Sequence, residues 1–154
     1  MIHPLSDVQA TSIGENTFIW QYTIVLEKAI IGNNCNINSH CFIENNVIIG
    51  DNTTVKCGVY LWDGITMGSN VFIGPNVTFT NDKFPHSKVY PETFQKILIE
   101  DKVSVGGGSI ILGGIKLGKG AMIGAGSLVT KDVPGGELWY GSPAKFIRKI
   151  DTND

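Results

Sequence analysis

Few side chains among these 154 residues are equipped for chemistry, and their positions narrow what that chemistry can be. Histidine suits proton transfer near neutral pH, and there are three, His3, His40 and His86. No two lie close together, so the ligand spacing of a three-histidine zinc centre is missing and no metal is expected. His40 is the best available general base, or a residue kept for its backbone shape; His3, beside the terminus, is assigned no role. Asn81 and Asp82 form an adjacent amide and carboxylate. They can orient an amine and accept its hydrogen bond, or close a turn on their own backbone. Trp62 and Asp63 offer a flat ring and a carboxylate to a sugar or a base. The same ring serves a subunit contact equally well, and the same carboxylate a solvated corner. Lys131, Lys145 and Arg148, the last being the only arginine, can meet phosphates.

The elements that position these residues follow from a period of six. Counting from Ile13 in steps of six gives twelve apolar residues without a miss, ending at Phe79; the phase resumes at Ile99 and runs to Val129. Four places after each apolar residue there is usually a small or β-branched one, among them Thr17, Ala29, Cys35, Cys41, Val59 and Ser127, which suit a tight strand interior. Three places after it stands Asn or Gly in twelve of eighteen units. Asn16, Asn34, Asn46 and Gly108 are examples, and both types tolerate positive φ. Short strands with a left-handed corner every six residues cannot form hairpins with their neighbours. They can stack on the strand three units later, each backbone group satisfied by the coil above or below.

The repeat breaks twice. Between Phe79 and Ile99 the phase slips, and a segment with Pro85 and Pro91 is read as a loop over about 80–98, thrown out from a corner, where solenoids carry working residues. From about 134 to 150 the chain leaves the period again with Trp139-Tyr140, a Gly-Ser-Pro turn and a basic stretch. This is read as a cap over the last coil.

Two stretches carry a resemblance. Ile123-Gly124-Ala125-Gly126-Ser127-Leu128-Val129-Thr130-Lys131-Asp132-Val133-Pro134, with Gly141-Ser142-Pro143-Ala144-Lys145, resembles the coenzyme A segment of hexapeptide-repeat acyltransferases. Leu61-Trp62-Asp63-Gly64 and Gly74-Pro75-Asn76-Val77-Thr78-Phe79-Thr80-Asn81-Asp82 are similar to a narrower group, the dTDP-3-amino-3,6-dideoxyhexose 3-N-acetyltransferases. The resemblance implies an all-β, left-handed parallel β-helix of about six coils, as one domain over 1–154. It also implies acetyl-CoA as cosubstrate, a nucleotide-linked amino sugar as acceptor, a homotrimer, and a place in surface polysaccharide biosynthesis. Carried over residue by residue, Gly108, Ala125, Gly126, Lys131, Lys145 and Arg148 would hold coenzyme A. Asn81, His40 and Asp82 would act in catalysis, and Trp62, Asp63 and His86 would meet the acceptor. His86 departs from the pattern, since similar sequences often carry arginine there.

Composition sets bounds. Twelve basic against fourteen acidic residues give no nucleic-acid footprint and no polybasic anchor, and no apolar run spans a bilayer. Cys35, Cys41 and Cys57, odd in number and without a CxxC pair, are expected to be reduced thiols in a cytoplasmic protein. The alternative function is O-acetylation of a simple sugar or serine on the same fold; a carbonic-anhydrase-like or non-catalytic β-helix ranks below it.

Overall fold

In the computed structural model, which describes residues 1–151, each six-residue unit makes one short strand and one corner. The typical strand has two residues, the first facing out and the second in. Phe18 is exposed and Ile19 fully buried; Tyr60 is exposed and Leu61 fully buried. Every member of the six-residue series from Ile19 to Val129 is buried, as are the small residues four places on. Polar members of that inner column are satisfied by the neighbouring coil: Thr17 Oγ1 donates to Gly32 O at 2.7 Å and Ser109 Oγ to Gly124 O at 3.0 Å.

Strands pair in parallel with their equivalents one coil away, Ile19 with Ile37, Ile37 with Val55, Val55 with Ile73. Three sheets of seven, six and eight strands form the faces of a left-handed parallel β-helix, and no helix occurs among the described residues. The left-handed corner column holds at Asn16, Tyr22, Asn34, His40, Asn52, Asn70, Asn76 and Lys102 and at the glycines 58, 64, 108, 114, 120 and 126. Asn46 departs from it: its φ is not positive, and its N–H donates to Asp63 Oδ1 at 2.7 Å.

The solenoid makes about seven turns, one more than the period of six indicates. Strand Asp7–Val8 stacks below Ile24–Val25, and Ile2 bridges Ile19. Val8 pairs with Val25, seventeen residues away instead of eighteen, so this first coil lies one residue out of phase with Ile13. The loop also ends earlier than the phase suggests. Strand Ile97–Ile99 pairs with Ile65–Met67, which makes 80–96 the excursion. The tail is more than a cover. Strand Glu137–Gly141 joins the eight-stranded sheet in parallel, sets Trp139 beside Ile123, and turns through a hairpin into Ala144–Lys149. Trp139 is buried and ends the core. Residues 152–154 of the expected domain lie outside the described part.

Candidate functional site

A triangular prism has three edges, and here they differ in how their corner N–H groups are treated. The first edge, residues 14–17, 32–35, 50–53, 68–71, 100–103 and 118–121, is closed by a side-chain ladder. Glu15 N donates to Asn33 Oδ1, Asn33 N to Asp51 Oδ1, Asp51 N to Ser69 Oγ and Ser69 N to Asp101 Oδ1, at 2.7–3.1 Å. The ladder leaves no room for side chains at the preceding position: a Cβ on Gly32 would stand 2.3 Å from Asp51 Oδ1. The second edge throws out the loop 80–96 and is partly closed in the same way, Asp63 N donating to Glu44 Oε2 at 2.7 Å and Gly113 N to Thr80 Oγ1 at 3.1 Å.

The third edge is open. It comprises 20–23, 38–41, 56–59, 74–77, 106–109 and 124–127, between the eight-stranded and the seven-stranded faces. No side chain of the described residues accepts from the N–H of Ser39, Cys57, Gly107 or Ala125, the positions equivalent to those capped on the ladder edge. A Cβ built on Gly108 or Gly126 meets nothing within 4 Å. These donors, and the space beside them, are available to an extended ligand that carries its own amides. The hairpin flanks the same end of the edge, since Gly141 N donates to Ser127 Oγ at 3.2 Å and Lys145 pairs with Tyr140.

Six of the sequence candidates therefore gather along or beside one line: Gly108, Ala125, Gly126 and Lys145 at one end, His40 toward the other, and Trp62 across the intervening face. His40 occupies a left-handed corner at φ 60°, is exposed, and stacks on Tyr22 with ring centroids 5.1 Å apart. A cleft of about 460 Å³ runs from Tyr22 and His40 across Ile24, Phe42 and Tyr60 to Trp62. Trp62 is half-buried, donates from Nε1 to Phe79 O at 2.9 Å, and packs against Phe42 and Tyr60.

The remaining candidates lie elsewhere. Asp63 serves the corner, accepting from Asn46, and lines a second cleft of about 500 Å³ beneath the returning arm of the loop with Glu92, Phe94 and Lys96. Asp82 makes the Asx-turn that opens the loop, accepting from Phe84 N at 3.0 Å. Asn81 beside it is half-buried, and its carbonyl holds the loop base by accepting from Gln95 N at 2.9 Å. On a single prism Asn81 and His40 occupy opposite edges of the seven-stranded face. His86 sits at the exposed loop tip, bridged to Val89. The Lys131 ammonium stands 5.6 Å from the centre of the Trp139 ring, and Arg148 Nη1 donates to Lys149 O at 3.1 Å near the far end of the last strand.

Burial pushes the Cys41 thiol, which contacts Lys56 O at 3.2 Å, up to about 11, and raises that of Cys35; the thiol of Cys57 is exposed on the open edge. The period of six marks Tyr22 only as an outward aromatic, not as the ring that stacks on His40, and does not mark the unengaged N–H groups of Gly107 and Ala125. The signal for them has a period of eighteen, one corner in three.

Comparison with known proteins agrees with this architecture. The family described as "Bacterial transferase hexapeptide (six repeats)" matches residues 10–45, 46–81 and 96–131, and the "Hexapeptide repeat of succinyl-transferase" matches 28–63. The stretch skipped between 81 and 96 is the loop. A galactoside O-acetyltransferase of Lactococcus lactis subsp. lactis (strain IL1403) is 42% identical over 88 residues, covering 54% of this chain and 42% of that protein. The chain thus spans less than half the length of that relative. A hexapeptide-repeat-containing acetyltransferase from Vibrio cholerae, 34% identical, superposes with a TM-score of 0.63 over 75% of this chain and 68% of its own. A galactoside acetyltransferase solved in complex with coenzyme A, 30% identical, gives 0.59 over 86% and 67%. This chain belongs to the bacterial hexapeptide transferase family.

Proposed function

We propose that this member of the hexapeptide transferases is a cytoplasmic N-acetyltransferase. It moves acetyl from acetyl-CoA to the 3-amino group of a nucleotide-linked, dTDP-type 3-amino-3,6-dideoxyhexose, for surface polysaccharide synthesis. The observation that carries the reading is the open edge, with its unengaged N–H groups at one end and His40 at the other. From Gly126 to His40 is four coils, about 19 Å at the usual strand spacing. The pantetheine arm lies along that line with its amides against Gly107 and Ala125, and Lys145 meets the phosphates. The neutral amine attacks the thioester carbonyl, the C–S bond breaks, and the amine proton passes to the departing thiolate. His40 and Asn81 hold the amine in place, and an unengaged N–H faces the developing oxyanion. In a homotrimer the loop edge of one prism lies beside the open edge of the next, which joins Asn81 to His40.

The likeness to the Lactococcus galactoside O-acetyltransferase favours a second reading, transfer to a sugar hydroxyl. A hydroxyl is a far weaker acid than an ammonium, so that reaction requires His40 as a true general base. The two readings separate in one assay of free-thiol release from acetyl-CoA. The panel holds dTDP-3-amino-3,6-dideoxyhexoses, a UDP-linked 3-amino sugar, a 4-amino isomer, a galactoside and serine. Turnover confined to 3-amino sugars supports N-acetylation; turnover confined to the galactoside or serine overturns it in favour of the second reading.

A further inference from the structure

The open edge is the one edge built without a carboxylate. Its corners read Trp20-Gln21-Tyr22-Thr23, Asn38-Ser39-His40-Cys41, Lys56-Cys57-Gly58-Val59, Gly74-Pro75-Asn76-Val77, Gly106-Gly107-Gly108-Ser109 and Gly124-Ala125-Gly126-Ser127. The chain has fourteen acidic residues, and the other two edges carry several each, including Glu15, Asp51 and Asp101 on the ladder and Glu27, Glu44 and Asp63 on the loop edge. A single cation, Lys56, stands on the open edge, one coil beyond His40. Its backbone is fixed, N–H to Ile73 O at 2.9 Å and carbonyl to the Cys41 thiol at 3.2 Å, and its side chain is half-buried. The ion pair of the described residues is Lys116 with Glu100, far from this edge, so the Lys56 ammonium is not neutralised. In the same column the next three residues are Gly74, Gly106 and Gly124, which makes Lys56 the last long side chain before the edge becomes bare.

We propose that Lys56 recognises a phosphate group, and that this phosphate belongs to the diphosphate of the nucleotide-linked acceptor. An ammonium with no carboxylate along its edge gives a local positive field in a chain of net charge −2, and its natural ligand is a phosphate oxygen. The coenzyme A phosphates lie at the other end of the edge in the proposed path, near Lys145, whereas Lys56 stands where acyl donor and acceptor meet. The inference rests on the open edge being the ligand path; it does not require that any particular sugar be acetylated.

The test is calorimetric titration of the full chain with dTDP, UDP and coenzyme A, with thymidine and uridine as controls lacking phosphate. Lys56→Met keeps the aliphatic stem and removes the charge; Lys56→Arg restores the charge. The methionine variant is expected to bind one or both nucleoside diphosphates at least tenfold more weakly. Nucleoside and coenzyme A binding should change less than about twofold, and the arginine variant should recover to within about threefold of native. A loss falling on coenzyme A alone assigns the phosphate to the donor and overturns the acceptor assignment. Native-like binding of every ligand by a folded methionine variant overturns the proposal. If Lys56 governs nucleoside diphosphate binding but nothing in the panel is acetylated, the proposed reaction falls while this inference stands.

Discussion

In the three coils that follow the first, the open edge carries Trp20-Gln21-Tyr22, Asn38-Ser39-His40 and Lys56-Cys57-Gly58. In the next three it carries Gly74-Pro75-Asn76, Gly106-Gly107-Gly108 and Gly124-Ala125-Gly126, with the same left-handed third residue each time. One backbone thus presents a decorated surface and then a bare one. The left-handed corner alone does not explain the bareness, because Tyr22, His40 and Asn76 adopt it at φ 56–60°. Crowding explains part: a Cβ on Gly106 would stand 2.4 Å from Ala125 N, so at that column the next coil fills the space. At Gly108 and Gly126 nothing of this chain fills it. Two kinds of glycine thus share the bare half, one demanded by packing and one facing open space, as Gly120 also does on the ladder edge; what sets the bare half apart from that edge is its unengaged N–H groups.

Filling that room should have the largest effect. Ala125→Trp places a ring on the bare half, and acetyl transfer should fall on the order of 100-fold through acetyl-CoA, with the melting temperature nearly unchanged. Undiminished turnover would mean that no ligand passes the bare half. The two glycine classes can be separated by stability. Gly106→Ala should cost about 2–3 kcal/mol by overpacking, whereas Gly108→Ala should cost only the left-handed strain, about 1 kcal/mol, in denaturant titrations. Equal losses would mean that one physical cause serves both columns.

On the decorated half, His40→Asn keeps a residue that the corner tolerates. It should lower kcat roughly tenfold, short of the larger factor of a general base, while leaving the KM for acetyl-CoA unchanged. A drop of a thousandfold with a lost acidic limb in the pH profile would promote His40 from positioning residue to base. The smallest effect concerns Cys41. Its folded thiol titrates near 11 against an ordinary 9.0, so the native state binds more protons between those values. The stability this contributes is complete below pH 9 and is lost as pH rises toward 11. Cys41→Val, matching Val59 one coil on, should flatten that alkaline loss, read from melting temperature against pH.

The coil, its inward columns and the left-handed corners were legible because each depends on one residue repeated every six. His40 and the stretch Gly124 to Ser127 were legible for the same reason. The first coil was not, since Val8 is out of phase by one residue and Asp7 stands where the count expects an apolar side chain. The roles of Asp63 and Asp82 stayed open because a carboxylate in a corner bonds ligand or backbone equally well. Only the distances to Asn46 N and Phe84 N show the backbone bonds. Lys131 was read as a phosphate ligand from its neighbours in sequence; its place over Trp139 depends on a strand that lies outside the period.

Backbone amide resonances report whether coenzyme A lies along the bare half of the open edge, as proposed. With native protein and added coenzyme A, the Gly107 and Ala125 amides should shift and exchange more slowly with solvent. The capped amides of Glu15, Asn33 and Asp51 should stay as they were. Saturating coenzyme A that leaves Gly107 and Ala125 untouched, or perturbs the ladder edge instead, would show that the cosubstrate does not lie along the open edge.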